Sequence, residues 1–113
     1  MSPPTPQNEP RDDAIFRALA DGRRRDILRA VAAQGDVTAT ELANDMPVSR
    51  QAVSKHLSLL ADVGLVSPRH VGRETRWHFD PTPLDQATAW ITQVSQVWDR
   101  RLARLAERFA EEG

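Results

Sequence analysis

The chain contains no cysteine. That single absence excludes a disulfide framework, a thiolate zinc site, an iron–sulfur cluster and a cysteine nucleophile. Long apolar runs are missing as well. Nothing approaches the roughly 18 to 20 residues that a membrane span requires, and the opening MSPPTPQNEPRDD has no basic region followed by an apolar core. A soluble, cytoplasmic protein with no membrane partner is expected. An excess of either charge is also missing. The 15 Lys and Arg stand against 16 Asp and Glu for a net charge of -1, which excludes a polycationic nucleic-acid binder of the histone kind, so any basic patch must be local. No Gly-rich phosphate loop, paired catalytic carboxylates or Ser/His/Asp arrangement is found, so neither an enzyme nor a cofactor is expected. Aromatic residues make up only 5% of 113 residues. A single domain of that size has a thin core, which association with a second copy would supplement.

What is present is mostly helical punctuation. Residues 1–11 hold four prolines among Ser, Thr, Gln and Asn, a composition expected to form a disordered tail, and residues 12–113 are expected to form one domain. From Asp13 the pattern turns helical, with Ile15, Phe16 and Leu19 on one face and Ala20-Asp21-Gly22 closing the segment. A second helix runs from Arg23 to Ala33 with Ile27, Leu28 and Val31 on one stripe and Gly35 as a stop. Thr38 and Glu41 have capping-box spacing ahead of a short helix around Leu42 and Met46 that Pro47 ends. Ser49 then caps a helix in which Val53, Leu57 and Leu60 recur until Gly64. Two short helices joined by Met46-Pro47-Val48 have helix-turn-helix spacing.

Leu65–His70 and Thr75–Phe79 are β-rich runs around a turn with Gly72, a hairpin and candidate wing over 66–79. Thr82-Pro83 has the signature of a helix start, and nothing breaks the pattern through Ala110. Leu84, Ile91, Trp98 and Leu105 repeat every seven residues with Val94, Leu102 and Phe109 beside them. A stripe on so long a helix is best buried against a second subunit. The expected architecture is therefore mainly α with a small β-hairpin: a winged helix-turn-helix of five helices whose last, 82–110, dimerises. The expected dimer interface is Ile15, Phe16, Leu84, Ile91, Val94, Trp98, Leu102 and Leu105.

The stretch PVSRQAVSKHLSLLADVGLVSPRHVGRETRWHF, with FRALADGRRRDILRAV upstream, resembles the winged-helix core of the arsenic-repressor (ArsR/SmtB) family of bacterial transcription regulators. The likeness covers roughly residues 13–80 and is carried by the Ser-x-x-x-Val-Ser-x-His-Leu string, Gly-Leu-Val and the Gly-Arg wing. It implies a homodimer, joined through the first and last helices, that binds an inverted-repeat operator on double-stranded DNA, often as an autoregulated repressor. The Trp98–Leu102 segment looks most like the family's cysteine-free branch.

The residues support that role on their own terms. Residues 50–80 carry Arg50, Lys55, Arg69, Arg73 and Arg76 against Asp62, Glu74 and Asp80. If Val53, Leu57 and Leu60 face the core, then Arg50, Gln51, Ser54 and Lys55 face outward at the end of the helix that a major groove accepts. Gln51 suits adenine and Arg50 guanine, while Ser49, Ser54 and Lys55 suit phosphate or mixed contacts. Arg73 at the wing tip reaches a minor groove or phosphate, with Arg76 or Arg69 in support. His56 is counted with this surface, although packing at the helix edge is the commoner role for such a residue. Arg24 or Arg25 is expected to pair internally with Asp21 or Asp26.

Members of the resembled family often sense metals through a Cys box on the third helix or Asp/His/Glu ligands on the last. Here the third-helix position reads Glu41-Leu42-Ala43-Asn44-Asp45, and residues 82–110 contain no histidine. No metal site is expected, although His70 and His78 on paired strands are close enough in sequence to be considered together. A metal- or ligand-responsive regulator, with a pocket around Trp90, Val94, Val97 and Trp98, is one alternative. A winged helix that recruits another protein is a second.

Overall fold

In the computed structural model, which describes residues 9–112, five helices and three strands follow one another. They are α1 (Glu9–Leu19), α2 (Gly22–Gln34), β1 (Asp36–Thr38), α3 (Ala39–Asn44), α4 (Arg50–Asp62), β2 (Val66–Val71), β3 (Glu74–Phe79) and α5 (Thr82–Glu112). Residues 1–8 of the expected tail lie outside the described residues. Glu9 to Arg11, also placed in that tail, instead begin α1. Pro10 permits this because an amide is not needed in a helix's first turn.

Short polar side chains start the central helices. Asp21 accepts from the amides of Arg23 and Arg24 at 2.8 and 3.3 Å, Thr38 from Glu41 at 3.1 Å, and Ser49 from Ala52 at 3.1 Å, each satisfying a donor that the helix leaves unpaired. Asp21 therefore opens α2 rather than closing α1. The arginines that follow it close α1 instead: Arg24 Nε donates to the Ala18 carbonyl at 2.8 Å and Arg25 Nη1 to that of Leu19 at 2.7 Å. The expected Arg24–Asp21 pair is present at 3.7 Å, while Asp26 pairs with Arg29 at 3.1 Å.

The core is one cluster drawn from α2, β1, α3, α4 and β2: Ile27, Leu28, Val31, Val37, Leu42, Val53, Leu57, Leu60, Leu65 and Val66, joined by Ala18 of α1. Each such aliphatic side chain contributes about 1.5–3 kcal/mol by leaving water. The stripes on α2 and α4 face it as the periodicity requires.

The sheet has three strands, in the order β1-β3-β2, all antiparallel. β1 is an addition to the expected hairpin: Asp36, Val37 and Thr38 pair with His78, Trp77 and Arg76. Between β2 and β3 the turn is Gly72-Arg73. Gly72 has φ +62° and, among the described residues, no non-glycine residue has positive φ, the pattern of a two-residue turn that matches the strands' twist.

Helix α5 has 31 residues, about 46 Å at 1.5 Å each. Only its start is anchored, by buried Ala87 and by Leu84 against the core, together with an edge-to-face contact of Phe16 and Trp90 at 5.5 Å. The protein is consequently elongated, 69 × 38 × 19 Å with a radius of gyration of 19.7 Å, against about 13 Å for a compact domain near this size.

The Asp21 cap makes stability depend on pH. The amide of Arg24 first, and that of Arg23 with the Arg24 and His56 charges, hold its carboxyl below the ordinary carboxylate value. A carboxyl so depressed contributes stability that is present above the ordinary value of about 3.9 and is lost as pH falls through the lower, folded one. Asp21→Asn keeps a capping oxygen without the charge. Urea midpoints measured at pH 6 and pH 3 should fall less for the Asn variant than for the parent; equal falls would detach Asp21 from the acid limb.

Candidate nucleic-acid interface

Burial fixes the orientation of α4. Val53, Leu57 and Leu60 are fully enclosed, and at about 100° per residue this turns Gln51, Lys55 and Ser58 to the opposite side, where all three are exposed. Arg50 and Ser54 lie on one flank of that outward face. His56 lies on the other flank, half-buried, with Nδ1 enclosed and unpartnered, and near enough to Asp21 for its charge to help depress that carboxyl. His56 thus faces the start of α2 rather than the reading side.

The Arg50 flank opens onto a cleft of about 500 Å³ whose walls are α3, α4 and the hairpin, with Thr40, Glu41, Arg50, Ser54, Arg73 and Glu74 among its lining. Thr40 was not singled out from the sequence; its exposure on the α3 wall depends on how α3 meets the wing. Arg73 sits at the hairpin tip because Gly72 takes the strained turn position. Among the described residues, Arg50, Lys55 and Arg73 form no ion pair.

Arg76, expected beside Arg73 as a support at DNA, is engaged elsewhere. Its Nη1 donates to Glu74 at 2.7 Å, Nε to Asp36 Oδ1 at 3.0 Å, and Nη2 to the Asp36 carbonyl at 3.2 Å and to Glu41 at 3.4 Å. Its side chain is only 23% exposed. The Glu74 and Asp36 carboxylates raise the guanidinium above its ordinary pKa, so it is a fixed cation. Arg69, opposite Arg76 across the strands, shares Asp36 at 3.2 Å. Without Asp36 those two arginines would repel directly across the hairpin. Glu41, expected to complete a capping box with Thr38, turns its carboxylate to Arg76.

His70 and His78 do not form a pair. The register sets His70 opposite Thr75 and His78 opposite Ser67, so they project to opposite faces of the hairpin; His70 meets Thr75 at 3.3 Å and His78 lies 3.7 Å from Asp36. Among the described residues no three His, Cys, Asp or Glu side chains are grouped to hold a metal ion.

Of the expected dimer residues, Ile15 is fully buried within its own chain, because α1 turns it inward while Phe16 turns to Trp90. It cannot serve an interface. Leu84 is likewise packed on its own core. Ile91, Val94, Trp98 and Leu102 remain 44–54% exposed, and Trp90, Val97 and Phe109 extend the same face at 51%, 57% and 70%.

A helix-turn-helix domain family profile matches residues 14–69, the span from α1 through the start of β2. An HTH-type transcriptional regulator of Mycobacterium tuberculosis is 41% identical over 101 residues, which is 89% of this chain and 91% of that protein. The transcriptional repressor SdpR of Bacillus subtilis is 29% identical over 88 residues, 78% of this chain and 97% of its own length. Among solved structures, an ArsR-like transcriptional regulator from Rhodococcus superposes with a TM-score of 0.71 at 38% identity, covering 84% of this chain and 89% of that one. These relatives are regulators rather than enzymes. The chain belongs to the ArsR/SmtB family of winged helix-turn-helix transcription regulators, and within it is a member without cysteine.

Proposed function

We propose that this regulator is a homodimeric, cytoplasmic repressor that occludes a promoter by binding an inverted-repeat operator, one half-site per recognition helix. The observation that carries the DNA surface is the sorting of its cations: Arg69 and Arg76 are committed to carboxylates, while Arg50 and Lys55 on the outer half of α4 and Arg73 at the wing tip form no ion pair among the described residues. In this reading α4 enters the major groove. Gln51 and Arg50 read base edges, worth roughly 1–3 kcal/mol each, Ser49, Ser54 and Lys55 hold phosphates, and Arg73 reaches the adjacent backbone or minor groove. Ser49 does this while capping α4, since its hydroxyl hydrogen is not used by the cap. Half-sites would lie about 34 Å apart, one helical turn, on a pseudo-palindrome of roughly 20 base pairs.

The dimer rests on α5. A run of Trp90, Ile91, Val94, Val97, Trp98, Leu102 and Phe109 left open along one face is larger than a stable monomer ordinarily exposes, and Phe16 lies beside its start. Leu105, half-buried, continues the stripe. The repressor assignment is supported by the Bacillus subtilis relative, itself a transcriptional repressor. A cytoplasmic site agrees with the absence, among the described residues, of a helix long and apolar enough to cross a membrane.

Arg50→Ala with Gln51→Ala should weaken binding to a duplex selected by the parent protein from random DNA by at least tenfold. Both residues are exposed, so the thermal midpoint should barely move; unchanged affinity would remove α4 as the reader. Arg73→Ala should lower affinity across sequences and reduce the slope of log K against log salt by about 1, and an unmoved slope would mean that Arg73 meets no phosphate. Light scattering should place the parent at twice the 12.7 kDa chain mass and Val94→Glu at the single mass. A parent already at the single mass overturns the dimer.

A further inference from the structure

The cleft between α4 and the wing carries an electrostatic contradiction. Arg50 and Arg73 on its walls attract phosphate, yet Glu41 and Glu74 line the same space, and Asp36 shares Arg76 with them. Side-chain exposures of 47%, 60% and 38% for Glu41, Glu74 and Asp36 leave these carboxylates open to a charge brought into the cleft. A DNA backbone drawn across it would meet as many anions as cations. The one side chain that bonds all three is Arg76, through donors spread over 2.7 to 3.4 Å. It is the least exposed member of the cluster, at 23%, and lies on the β3 register position that also carries the pairing with Thr38 of β1.

We infer that Arg76 governs DNA affinity without touching DNA: it is the resident counter-ion of Asp36, Glu41 and Glu74, and by neutralising them it makes the Arg50–Arg73 cleft accept a phosphate backbone. This rests on the reading of that cleft as the DNA surface. A planar guanidinium suits the task because its donors diverge and can serve three carboxylates together, which a lysine ammonium on a single point cannot match in geometry. Partial shielding by salt is expected, because the carboxylates are half exposed and the distances involved are comparable to the Debye length of about 8 to 10 Å.

A contact residue and a counter-ion respond oppositely to removal of the acids. Binding to the duplex selected by the parent protein is measured at 50 and 200 mM salt for the parent, Arg76→Gln, Glu41→Gln with Glu74→Gln, and the triple variant. Arg76→Gln should weaken binding roughly tenfold at 50 mM salt and less at 200 mM. The triple variant should return to within about threefold of the parent, and the double Gln variant should bind more tightly than the parent. Were Arg76 a phosphate contact, the triple variant would stay as weak as Arg76→Gln; that result, or an Arg76→Gln variant that binds like the parent, overturns the inference. Circular dichroism reports whether Arg76→Gln folds. If it does not, the double Gln variant decides alone, since a counter-ion role requires tighter binding and no change refutes it. A parent protein that selects no duplex overturns the DNA reading itself, and the inference with it.

Discussion

The wing is held to the helix-turn-helix by a strand of three residues. β1 supplies Val37, fully buried, to one side of the sheet and Asp36 to the other. Magnitudes decide which half does which job. Burial of Val37 is worth about 1.5–3 kcal/mol, whereas part-exposed ion pairs of the Asp36 kind contribute little stability, about 0–1 kcal/mol each. The apolar contact therefore fixes the strand in place, and the carboxylate it carries then draws Arg69 and Arg76 together from adjacent strands. Remove the strand and the hairpin remains a hairpin, but with two like charges opposed.

A second constraint is the small core. Most of the enclosed aliphatic residues come from the segment between α2 and β2, and α5, the longest element, adds only Ala87 and Leu84 to it. The chain thus withholds its richest apolar face from its own fold. That division would suit the proposed dimer, in which two copies of α4 are spaced by a rigid member. A helix whose apolar stripe were satisfied within one subunit would have nothing with which to set the distance to another.

Local signals were legible in the sequence, and long-range ones were not. Thr38 and Ser49 announce helix starts by type and spacing, Gly72 announces a turn, and Val53, Leu57 and Leu60 orient α4 correctly, because each of these depends on neighbours within a few residues. β1 is too short to show a period and exists only because β3, 40 residues on, is there to pair with it. The partners of Arg76, Asp36 and Glu41, lie 40 and 35 residues away, so nothing near Arg76 in the sequence announces them. Periodicity set Ile15 and Phe16 together on an apolar face but could not say whether that face meets its own chain or another. For the histidines the strand alternation decides: one residue of register separates a pair on one face from two residues on opposite faces.

Near-neutral charge follows the same logic to the interface. A protein that binds DNA through an unopposed basic field holds any sequence, since phosphate contact is blind to base identity. If Arg50, Lys55 and Arg73 are the cations that meet the duplex, they are few, and with the carboxylates beside them balanced from within, the electrostatic part of binding would be small and the base contacts of α4 would form a larger share of the whole. Discrimination is a difference between specific and non-specific affinity, and restraining the non-specific member raises it as surely as adding a contact. On the proposed reading the acids around the cleft would then be part of what makes the surface selective, with Arg76 setting how strongly they are felt.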